Sequence, residues 1–65
     1  MNNIKTFAVA SDGNMKRLAI TYDVLDDTGK VIKSNVKVNR LVTDENALSA
    51  INEIEIYAQT IINAE

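Results

Sequence analysis

Few side chains in this sequence have types and spacing that could do chemistry. Asp26-Asp27-Thr28 offers clustered oxygen donors of the kind that hold a hard cation. An EF-hand loop needs a spaced series of such ligands closed by a late glutamate, and the sequence has no such series. Turn formation accounts for these residues without a metal. Glu53 and Glu55 have the right chemistry for an acid–base pair. Two positions apart on a helix, however, side chains diverge and cannot share a proton. Tyr22 and Tyr57 bring hydroxyls, one expected at the margin of a core and the other at the flank of a helix stripe. Arg17, Lys33 and Lys37 fall at alternating positions of two strands, as a phosphate-contacting patch on a sheet face would require.

What is absent excludes more. The 65 residues contain no cysteine and no histidine, so thiol chemistry, thiolate zinc sites and imidazole bases are all ruled out. No nucleophile, base and oxyanion arrangement can be assembled from what remains, and no motif marks a cofactor. The chain is expected not to be an enzyme. No apolar run approaches the roughly 18 residues that span a bilayer, and Met1-Asn2-Asn3 does not open a signal peptide. A cytoplasmic location without membrane contact is the corresponding expectation.

The elements that would position these residues can be read from turns and periodicity. With 46% apolar and 25% charged residues the composition is that of a globular chain, and residues 1–65 read as one domain. Ser11-Asp12-Gly13-Asn14 suits a two-residue hairpin with Asp12-Gly13 at its centre. Asp26-Asp27-Thr28-Gly29 suits a type I turn closed by a left-handed glycine. Strands are therefore predicted at about 4–10, 15–26 and 30–41, in a 1-2-3 antiparallel meander. If Asp26 faces Lys30, then Leu18, Ile20, Tyr22 and Val24 face Val38, Val36, Ser34 and Ile32 on one apolar face. The other face then sets Asp23 against Lys33, Thr21 against Asn35 and Met15 against Leu41. Pairing Ser11 with Asn14 places Phe7 opposite Leu18, a register that a bulge would change.

Beyond Thr43 the period changes. Ala47, Ile51, Ile54, Ala58 and Ile61 form a helical stripe, predicting a helix over about 44–63 capped by Thr43 or Asp44. The fold class is thus α+β, with the C-terminal helix packed on one face of the sheet.

The stretch Ile20-Thr-Tyr-Asp-Val-Leu-Asp-Asp-Thr-Gly-Lys-Val-Ile-Lys-Ser34, with Thr43-Asp-Glu45 after it, resembles short uncharacterised Firmicute and phage proteins. In them a hairpin closed by a Gly-Lys turn precedes a single helix. The resemblance implies a small accessory protein of a bacterium or its phage and supplies no catalytic residue.

Two features remain once a core is assigned. The apolar helix surface spans about half the circumference, wider than one seam needs. Tyr57 and Ile61 widen it on one side, and Ile56 lies apart on the opposite face. The outer sheet face keeps apolar clusters at its ends, Leu25 with Val31 and Met15 with Leu41. These seven residues are the candidate interface of a homodimer or of a complex with another protein. Charge is also divided. Residues 1–43 hold all seven bases against four acids, and residues 44–65 hold five acids and no base. The alternative reading is a nucleic-acid contact through Arg17, Lys33 and Lys37, which the net charge of −2 disfavours.

Overall fold

The computed structural model describes residues 1–65. It holds strands β1 (Asn2–Asp12), β2 (Met15–Leu25) and β3 (Val31–Leu41), then helix α1 (Glu45–Asn63). The strands form one antiparallel sheet in the order β1-β2-β3, so the α+β meander with a C-terminal helix is the observed architecture.

The second turn forms as its residues require. One oxygen of Asp26, Oδ1, accepts the Thr28 N–H at 2.9 Å, the Thr28 hydroxyl at 2.6 Å and the Lys30 N–H at 3.0 Å. Gly29 supplies a φ of +86°, which a side chain would resist. Those hydrogen bonds hold the Asp26 carboxyl below its ordinary range, with the Thr28 hydroxyl the largest cause. The carboxylate is committed to the turn.

The first turn differs from its expected form. Asp12 pairs with Met15, so Gly13-Asn14 is the loop, and Gly13 alone takes a positive φ, +64°. That is the pattern of a type II′ turn, with glycine at its first central position. Phe7 consequently faces Ile20, and Val9 faces Leu18. Farther along, Ile4 faces Tyr22 through a bulge at Lys5. The bulge lets Ile4 and Phe7, three residues apart, share one face with Val9.

The β2–β3 register is also corrected. Leu25 faces Val31 as expected, but two irregularities each add a residue to β3, so that Tyr22 faces Val36 and Ile20 faces Val38. Thr21 faces Lys37, and Leu41 lies opposite Arg17 instead of Met15. Because the accumulated slip is two residues, the same side chains keep the same faces over most of the sheet. Asn35 lies in the irregularity between Tyr22 and Val24 and takes a φ of +57°, its N–H donating to Asp23 Oδ1 at 3.0 Å. Its own Oδ1 accepts from Lys5 Nζ at 3.0 Å. Asn35→Val is therefore expected to lose about 1–2 kcal/mol in urea unfolding, whereas Asn35→Gly loses less, because glycine pays no steric penalty there.

The helix begins where it should. Asp44 is the N-cap, its Oδ2 accepting the Ala47 N–H at 2.8 Å, and Glu45 lies in the first turn. Its packing departs from expectation: not one of the 65 residues is fully buried. The helix stands over the apolar sheet face without closing on it.

Candidate interaction site

The space between helix and sheet is an open apolar cleft of about 680 Å³. Ile4, Phe7 and Val9 of β1 and Leu18 and Ile20 of β2 form its floor. The wall is helical: Ala47, Ala50, Ile51, Ile54 and Ala58, with Val42 at the entry of the helix. Three of those five helical side chains are methyl groups, the smallest that can line a wall. Phe7 and Ile54 each remain 63% exposed although both belong to the cleft lining.

Glu55 is the one charged residue in this lining and the only side chain of the helix bonded to the sheet. Its Oε2 accepts from Ser11 Oγ and Lys16 Nζ, both at 2.9 Å, where Ser11 and Lys16 face each other beside the first turn. The Lys16 ammonium, then the Ser11 hydroxyl, hold the Glu55 carboxyl below its ordinary value of 4.5. A lowered folded value means that the ionised form favours the native state. That contribution is complete above the unfolded value and is lost as pH falls through the folded one. Glu55→Gln is accordingly expected to flatten the fall of the urea midpoint as the pH is lowered from neutral through and below 4.5, a difference read by parallel titrations of both chains.

The residues expected to form an interface are accessible but do not make one patch. Ile56, Tyr57 and Ile61 are exposed on the helix, Tyr57 at 67%. Met15, Leu41 and Val31 are exposed on the sheet, and Leu25 is half-buried. Met15 faces Asp12, so it meets Leu41 only diagonally, across Arg17. The helical and sheet residues of this set lie on different surfaces. Sequence reasoning missed the cleft itself, whose floor and wall it had assigned to a closed core.

The basic row is broken as well. Arg17 and Lys37 keep their face, but Lys33 falls opposite Val24 and makes no ion pair with Asp23. Asp23 instead accepts from the Asn35 backbone.

No family model, curated protein or solved structure matches the chain. No helix is long and apolar enough to cross a membrane. The cleft is therefore the feature from which function must be argued.

Proposed function

We propose that this chain is a non-enzymatic protein-interaction module, cytoplasmic and of bacterial or phage origin, that works as a homodimer. The observation that supports the reading is an apolar cleft in a chain with no fully buried residue. Apolar surface of this kind is stabilising only when removed from water, at about 25 cal/mol per Å². A chain of 65 residues has little else with which to offset its conformational entropy, and it has no disulfide. A partner surface supplies what the single chain lacks.

The alternative, nucleic-acid binding through Arg17, Lys33 and Lys37, gains nothing from a register in which Lys33 leaves the row of the other two. Sedimentation equilibrium at micromolar concentration tests the preferred reading. A mass of twice 7.2 kDa is expected. A particle of 7.2 kDa at every concentration would overturn the homodimer.

A further inference from the structure

We infer that the cleft of each subunit is covered by the helix of a second copy, whose Tyr57, Ile61 and Ile62 lie against Phe7 and Val9. This inference rests on the homodimer proposed above and specifies how its two copies meet.

Area makes the first argument. The chain exposes 5460 Å², and a compact protein of its mass exposes about 4,100 Å². The surplus, about 1,300 Å², exceeds the roughly 800 Å² that each partner buries in a standard interface. It falls in the range for obligate dimers. Shape agrees with area. The radius of gyration is 15.0 Å, against about 11 Å for a compact chain of this length.

Charge chooses among the arrangements a two-fold axis allows. Helix against helix would bring together two segments that each carry five acids and no base. Edge-to-edge strand pairing would satisfy backbone groups and leave the cleft open. Helix on the partner's sheet sets the uncharged end of the helix, residues 56–64, against a cleft floor that carries no charge either. The helix end calls for such a partner. Past Glu55 no side chain of the helix bonds to the chain's own sheet, and Tyr57, Ile61 and Ile62 are exposed.

Cross-linking between distinguishable copies tests this. The protein has no cysteine of its own, so Val9→Cys in a tagged chain and Ile61→Cys in an untagged one each carry a single thiol. Both variants are first required to sediment with the mass of the unsubstituted chain. After mixing and mild oxidation, the tag is expected to retain the Ile61→Cys chain as a disulfide-linked pair. Its yield should exceed by at least tenfold that obtained when Lys37→Cys, on the opposite sheet face, replaces Val9→Cys. Efficient Ile61–Ile61 linkage, or linkage no better than the Lys37 control, in a protein that still sediments as a dimer would overturn this arrangement and leave the dimer standing. A monomer whose cleft takes up an apolar dye would overturn both.

Discussion

Ile61→Glu is expected to convert the dimer into monomers at micromolar concentration. In a single subunit Ile61 is 50% exposed, at the C-terminal end of the helix stripe. Were that its environment in solution, the substitution would cost no more than about 0.5 kcal/mol. Covered by a second copy, the new carboxylate must lose water without gaining a partner. Even a cost of about 3 kcal/mol, modest for such burial, weakens association more than a hundredfold. The added charge also falls on a segment already holding five acids and no base. Sedimentation equilibrium reads the change in mass, and circular dichroism at the same concentration shows whether the helix persists. Ile61→Ala, which removes contact without adding charge, should give an intermediate dissociation constant. An unchanged mass for Ile61→Glu would remove this end of the helix from the interface.

The turns were legible because their signals are local. Asp26 organises its own turn through two backbone N–H groups and one hydroxyl, all within four residues. Asp44 caps the helix in the same local way. Register was less legible, since it depends on where extra residues are absorbed. In β1 the clue was present: Ile4 and Phe7 cannot share a face at a spacing of three unless a bulge intervenes. In β3 the slip of two residues preserves the alternation, so the hydrophobic pattern carries no trace of it. Asn35, of a residue type that tolerates positive φ, marks the irregularity between Tyr22 and Val24 and leaves the one between Val24 and Leu25 unmarked.

The cleft was hidden for another reason. A stripe containing Ala47, Ala50 and Ala58 has the period of a packed helix, and period says nothing about reach. Small side chains bring a helix close to a sheet only when the connection allows it. Here Val42 still pairs with the end of β2, its N–H donating to the Lys16 carbonyl at 2.8 Å, and the helix starts three residues later. That short connection and the Glu55 tie fix where the helix stands. The apolar residues on either side are left facing each other across open space. The interface expected from sequence drew its candidates from two surfaces, Ile56, Tyr57 and Ile61 on the helix and Met15, Leu25, Val31 and Leu41 on the outer sheet face, because leftover hydrophobes were counted as if the core between helix and sheet had closed.

Phe7→Ala separates a covered cleft from an open one by magnitude alone. At 63% exposure Phe7 has little apolar contact to lose in a single subunit, so truncation there should change stability by about 0.5 kcal/mol at most. If the helix of a second copy lies on it, the same truncation removes a buried aromatic ring and leaves a hole. Such losses run to about 3–5 kcal/mol. We expect the larger value. Ile32→Thr provides the comparison: Ile32 is 60% exposed, lies outside the cleft and keeps β-branching when changed. It should fall within the small range whichever state the cleft is in. Concentration supplies a second axis, because unfolding coupled to dissociation is opposed by mass action. Each tenfold dilution should lower the apparent stability of the dimer by about 1.4 kcal/mol, and Phe7→Ala should unfold at a dilution where Ile32→Thr remains native. Equal and small effects for both substitutions, with midpoints independent of concentration, would mean that Phe7 stays in water and that nothing covers the cleft.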